Sequence, residues 1–175
     1  MDQLMDLIKK RMSIRAYSEK TLTKKTVNSI LEAARYAPTA RNLQQLEYKV
    51  ITNRSLTKRL SDVIAAQVAG GASPSPARAN YFYNAPLLII ITGPKGSAWT
   101  ESDAGLAAQN IMLYATSLDL GSCFIGMAKF LERDKSIMQE LHIADDRKIV
   151  GSVVCGYPDE KPAPKEKKLN AEFFA

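Results

Sequence analysis

Between Ala104 and Leu118 apolar residues fall on every side of a helical turn. Leu106, Ala107, Ala108, Ile111, Met112, Leu113, Tyr114, Ala115 and Leu118 leave only Gln109, Asn110, Thr116 and Ser117 polar. A helix that is apolar all round is a buried one, so the rest of the chain has to supply layers around it. Asp119-Leu120-Gly121-Ser122 follows, and Gly121 is expected to end the helix in a left-handed conformation. The apolar run Cys123-Phe124-Ile125-Gly126 then reads as a core strand. Gly126 lets backbone N–H groups approach a flat ligand more closely than a side chain would allow.

The other segments supply those layers. Leu4, Leu7 and Ile8 share one face of an amphipathic helix over Met1 to Lys10, expected to pack on the domain. Arg11 to Tyr17 reads as extended or irregular. Thr23 looks like the N-cap of a helix to about Tyr36, with Val27, Ile30, Leu31 and Ala34 inward, and Pro38 begins a loop. Leu46 to Thr52 alternates as a strand. Ser55 is expected to cap the next helix, whose inward stripe is Leu56, Leu60, Val63 and Ile64. Gly70 to Pro76 has the composition of a mobile surface loop and is a candidate lid.

Ala85 to Thr92 is the clearest central strand, apolar on both faces, and Gly93 to Thr100 is a loop carrying Trp99. A surface helix is expected over Arg133 to Leu141 and a second buried strand over Lys148 to Gly156. Residues 157–175 form an extended basic tail on a single domain spanning 1–175. Helices and strands alternate irregularly, which predicts an α+β fold: a mixed central sheet flanked by helices.

Composition narrows the chemistry. The net charge of +6 favours anionic partners in general. The cations are dispersed, with no basic run interleaved with aromatics, which argues against nucleic acid. Two cysteines, Cys123 and Cys155, both sit in apolar runs and read as buried thiols of a reducing compartment, so a cytoplasmic location is expected. No stretch approaches a membrane span. The single histidine, His142, ends a surface helix, which leaves no His-rich metal site and no Ser-His-Asp arrangement. The spacing Gly121-x4-Gly126 lacks the Lys-Ser/Thr of a P-loop, and no G-x-G-x-x-G is present. A bound nucleotide would therefore have its phosphate held chiefly by side chains.

Arg11, Ser13 and Arg15 stand at alternate positions, so in an extended segment they share a face. Two guanidiniums and a hydroxyl on one side suit a phosphate dianion. Composition alone favours three solvated polar residues between helices. Lys165 and Lys167 of the tail can add charge to the same anion or simply be solvated.

Five pieces in order carry a specific resemblance: Arg11-Met12-Ser13-Ile14-Arg15; Ala37-Pro38-Thr39-Ala40-Arg41-Asn42-Leu43-Gln44; Asp103-Ala104-Gly105 with Gln109-Asn110; Leu120 to Gly126; and Gly156-Tyr157-Pro158 followed by Pro164-Lys165-Glu166-Lys167. Together they resemble the FMN-dependent nitroreductase family. The resemblance implies an intertwined homodimer with one FMN per subunit at the interface. It implies that Arg11 and Ser13 hold the FMN phosphate with Lys165 and Lys167, and that Arg15 lies by the flavin pyrimidine. It further implies that Pro38, Thr39 and Ala40 come from the other subunit, that Asn42 and Gln44 supply amide bonds, and that Ile125, Gly126 and Met127 lie near flavin N5 and O4.

The implied activity passes hydride from NADH or NADPH through flavin N5 to a nitroaromatic or quinone-like acceptor by a ping-pong mechanism. No side chain is needed as catalytic nucleophile, since the flavin carries the chemistry and Arg15 tunes it. Three positions depart from the family pattern: Met12, Gln45-Leu46 in place of a frequent Pro-Trp, and Lys167 in place of Arg. Two other readings stand beside this one. A flavin-binding or flavin-remodelling protein of the same fold would show no NAD(P)H turnover, and a cofactor-free basic binding module would be colourless.

Overall fold

The run Leu87-Leu88-Ile89-Ile90-Ile91 is buried on both of its faces, and the rest of the molecule is layered on either side of it. The computed structural model describes residues 3–69, 80–164 and 166–174. Among the described residues, five helices, α1 (Gln3–Lys10), α2 (Lys24–Arg35), α3 (Arg54–Ala69), α4 (Thr100–Ser117) and α5 (Lys135–Glu140), accompany four strands, β1 (Glu47–Ile51), β2 (Leu87–Pro94), β3 (Gly121–Ile125) and β4 (Arg147–Gly156). The strands are ordered β1-β2-β4-β3. All three pairings are antiparallel, and the parallel component of this mixed sheet is the bridge between Ser13 and Ser122 at the β3 edge.

Alternation along β2 sends Leu88 and Ile90 to one side and Leu87, Ile89 and Ile91 to the other. The first side is covered by α3, α5 and a run of 3-10 turns over Gly126–Arg133, through Leu60, Ile64, Leu131 and Ile137. The second is covered by α2 and α4, through Val27, Ile30, Ala104, Ala108 and Ile111. Each fully buried Leu or Ile contributes about 1.5–3 kcal/mol. The sheet is thus stabilised from both faces.

In β4 the alternation breaks once. Ile91 pairs with Gly151 and Thr92 with Ile149, which makes Val150 the extra residue of a bulge. Beyond it the faces exchange, so Ile149 joins the α3–α5 side while Val150 packs on the α2–α4 side.

Several elements follow the expectation closely. Thr23 caps α2, its side chain accepting from the Thr26 N–H, and Val27, Ile30 and Ala34 are buried. Cys123 and Cys155 are free and buried. Others are corrected. Asn53, not Ser55, caps α3, its side-chain oxygen taking the Leu56 N–H at 3.0 Å and the Ser55 hydroxyl at 2.8 Å. The left-handed residue after α4 is Asp119, with φ 56°. The Asp119 N–H reaches the Thr116 carbonyl and the Leu120 N–H the Ala115 carbonyl, a Schellman closure. Gly121 serves packing instead, since a Cβ there would lie 2.8 Å from Ile14. The expected helix over Arg133 to Leu141 is 3-10 turns to Arg133 and α5 only from Lys135, where Asp134 caps it. The Gly70 to Pro76 loop lies outside the described residues.

The largest correction concerns α4. Its inner face, Ala104, Ala107, Ala108, Ile111 and Ala115, is buried as expected. Its outer face is not: Leu106, Tyr114 and Leu118 are 46%, 36% and 38% exposed. One chain therefore encloses only half of a helix that is apolar all round. Helix α1 likewise lies beside α4 with no residue buried, and Ile8 is 40% exposed.

Candidate functional site

The segment after α1 is extended and tied to the sheet edge. Ser13 bridges Ser122, and the Ile14 N–H donates to the Ser122 carbonyl at 2.9 Å. Ile14 is buried against Gly121, so the alternation turns Ser13 and Arg15 away from it. The Tyr17 hydroxyl donates back to the Ile14 carbonyl at 2.6 Å.

Two groups report how closely these residues gather. Burial pushes the Cys123 thiol up, while the Arg15 charge, a hydrogen bond from Ser13 and the Arg11 charge pull it down. Arg11, Ser13 and Arg15 thus all bear on Cys123, in the middle of β3. The Tyr17 phenol is pushed well above the usual range, chiefly by burial.

Beside this cluster opens a cavity of about 600 Å³. Arg15 and Tyr17 form one wall and Cys123 to Met127 another. A Cβ built on Gly126 would meet nothing closer than Phe124 at 3.9 Å, so the glycine leaves its backbone open to the cavity. A third wall was not foreseen from the sequence: Asn80, Tyr81, Tyr83 and Asn84, in the turn preceding β2. Two tyrosines and a phenylalanine in a row, Tyr81-Phe82-Tyr83, were the available signal, but only the folding of this turn across the sheet end brings the tyrosines to Arg15.

The loop after α2 lies elsewhere. Pro38 is exposed; Thr39 accepts the Gln44 N–H at 3.0 Å, and the Ala40 N–H donates to the Asp103 carboxylate at 3.0 Å. The Gln44 amide donates to the Asn42 side-chain oxygen at 2.9 Å. Arg41, Asn42 and Gln44 all take left-handed backbone angles, near 53°, 55° and 52°. Three such non-glycine residues in one loop carry strain of about 1–3 kcal/mol each. The cavity lining does not include this loop. Lys167 is exposed in the tail and also does not line it, and Lys165 lies outside the described residues.

A mixed sheet between helical layers, with a cationic extended segment at one edge and an open glycine at the end of β3, is the frame of a flavin-type reductase fold, and the chain belongs to the nitroreductase family. A sequence model described as "Nitroreductase family" matches residues 8–157. An Archaeoglobus fulgidus protein provisionally named NADH dehydrogenase/NAD(P)H nitroreductase is 30% identical over 92% of this chain and 89% of its own length. The 4-nitrobenzoate reductase of a Nocardioides species is 28% identical over 87% of this chain and 79% of its own. A Bacteroides fragilis nitroreductase solved with bound FMN superposes with a TM-score of 0.87 at 27% identity, covering 100% of this chain and 98% of that one.

Proposed function

We propose that this chain is an FMN-dependent NAD(P)H oxidoreductase that passes hydride to an electron-poor acceptor such as a nitroaromatic or a quinone, acting as a homodimer with the whole chain as one FMN-binding unit. The observation that carries the reading is the meeting of Arg15, Ile125, Gly126 and Met127 around a single cavity, with Arg11 and Ser13 alongside. These residues fit the cofactor. Two guanidiniums and a hydroxyl suit a phosphate, and a glycine whose missing Cβ faces open space suits a planar ring.

When bound, FMN supplies a centre that takes hydride from a nicotinamide and gives it up again. The chain's residues do the rest. Arg11 and Ser13 would hold the phosphate with charge-assisted bonds, aided by Lys167 and Lys165 of the tail. Arg15 would place a cation where negative charge develops on reduction, lowering the cost of adding electrons. The backbone at Gly126 would donate to the ring edge, and Ile125 and Met127 would keep water from it. No side chain has to act as a nucleophile.

The dimer is supported by the outer face of α4, whose exposed Leu106, Tyr114 and Leu118 suit a second copy better than water. The strained loop holding Pro38, Thr39, Ala40, Asn42 and Gln44 then has a role it lacks in one chain, reaching the cavity of that second copy. A cytoplasmic site of action fits two unpaired, buried thiols. No helix among the described residues is long and apolar enough to cross a membrane.

The test is the visible spectrum after FMN is added and the excess removed. A yellow protein near one flavin per chain, bleached by NADH or NADPH under anaerobic conditions, is expected. A yellow protein that neither nucleotide bleaches would instead support a flavin-binding or flavin-remodelling role. A colourless, folded protein would overturn the reading and favour a basic binding module without cofactor.

A further inference from the structure

Leaving β4, the chain turns back along the N-terminal segment and zips to it. The Ser18 N–H donates to the Tyr157 carbonyl at 2.9 Å, Tyr17 and Pro158 form an antiparallel bridge, and the Asp159 N–H donates to the Ala16 carbonyl at 2.9 Å. One residue on, the pattern changes: the Glu160 side-chain carboxylate accepts the Arg15 N–H. In this ladder Arg15 falls at a non-hydrogen-bonded position, so the tail backbone cannot take that donor, and a neutral side chain could have satisfied it without any charge. A carboxylate instead brings a negative charge to the backbone of the residue whose side chain is the cation of the cavity wall. Its field reaches inside, acting on Cys123 and Tyr17 in the sense opposite to Arg15 and Arg11 at the thiol.

We propose that Glu160 is a positioning residue for Arg15: held on the Arg15 N–H, its carboxylate fixes the direction in which that side chain enters the cavity and offsets part of its positive charge. The inference rests on the role given to Arg15 above. It makes the first residues of the tail part of the electrostatics of the site, where composition alone would count Glu160 among the solvated charges of an exposed segment. Because Glu160 is exposed, the effect is screened by salt and is largest at low ionic strength.

Two variants separate charge from hydrogen bonding. E160Q retains an acceptor for the Arg15 N–H and loses the charge; E160A loses both. The first readout needs no flavin: the pH dependence of Cys123 alkylation by iodoacetamide entering the cavity that Cys123 lines, with Cys155 silent because it does not line that cavity and its thiol is pushed up to about 12. The groups acting on Cys123 are Arg15, Ser13, Arg11 and Glu160. In E160Q the profile moves to lower pH, with alkylation about threefold faster near pH 8 because more of the thiol is ionised. A merely loosened segment would raise the rate at every pH and leave the profile in place.

The second readout is the midpoint potential of the FMN-loaded chain. In E160Q it becomes more positive, with FMN affinity within about twofold of wild type, while E160A also retains FMN several-fold less well because Arg15 is no longer aimed. An alkylation profile in E160Q that superimposes on wild type overturns the proposal, as does an unmoved potential. If the chain binds no FMN, the oxidoreductase reading fails alone, and the thiol profile still decides whether Glu160 offsets Arg15.

Discussion

The segment Arg11 to Tyr17 and the loop Pro38 to Gln44 both carry residues assigned to the same site, yet they are built in opposite ways. The first is extended and held from two sides, by Ser122 on the β3 edge and by Tyr157 to Glu160 of the tail. It points Arg15 into the cavity of its own chain. The second is held by its own side chains and by Asp103, takes three left-handed backbone angles and lies away from that cavity. The contrast teaches that one chain builds a cationic wall and an open glycine by itself. In the proposed homodimer, the strained, exposed loop gains its use from the second chain.

The sharpest way to break this comparison is to remove the outside. Leu106→Glu puts a charge on the outer face of α4 and should leave a folded monomer that retains almost no FMN, seen by analytical ultracentrifugation and flavin absorbance. A monomer with full flavin occupancy would show that the loop is not needed. Next in size, Arg11→Ala removes a charge-assisted contact of about 1.5–3 kcal/mol, so FMN affinity should fall roughly 10- to 100-fold in a fluorescence titration. Normal occupancy after dialysis would contradict its role.

Arg15→Ala should act on energy more than on retention. Losing the cation should move the flavin midpoint potential negative by about 30 mV, equivalent to about 1.4 kcal/mol in a two-electron couple. An unchanged potential would remove Arg15 from the electrostatics of the site. The smallest effect belongs to the loop. Gln44→Ala loses the exposed bond to Asn42, worth about 0.5–1.5 kcal/mol, and should weaken FMN binding roughly two- to tenfold while leaving the potential in place. If it shifted the potential as Arg15→Ala does, the two regions would not have separate roles.

What could be read from the sequence follows the same division. The apolar runs of β2 and β4, the Thr23 cap and the alternation of Arg11, Ser13 and Arg15 are local patterns, and local patterns suffice where the partner is the domain's own core. Asn53 and Ser55 are both competent caps two residues apart, and only the bond to Leu56 chooses between them. Gly121 looked like the helix terminator, but Asp119 tolerates the left-handed angle and the glycine is required under Ile14. The apolar circumference of α4 predicts burial all round, but one chain buries only its inner face, and the sequence does not say whether a second chain covers the rest. The wall from Asn80 to Asn84 was missed because neighbours in space, not in sequence, define it.

The bulge at Val150 has a bearing on which mutations β4 can absorb. A chain lacking that one residue would keep its other apolar side chains, and its hydropathy profile would hardly change. Its ladder would become regular, with Gly151 still opposite Ile91 and Ile149 still opposite Thr92, so no residue would turn over. A residue gained or lost in the regular stretch Gly151 to Cys155 would instead turn over everything before it: Ile149 would leave the α3–α5 side, and Lys148, which now reaches Glu101 on α4 at 2.6 Å, would be driven beneath the opposite layer. Conservative substitutions along this strand cost packing and the bulge can absorb a lost residue, whereas a codon gained or lost in the regular stretch would invert the strand, so the length of that stretch is the property here that selection has least freedom to vary.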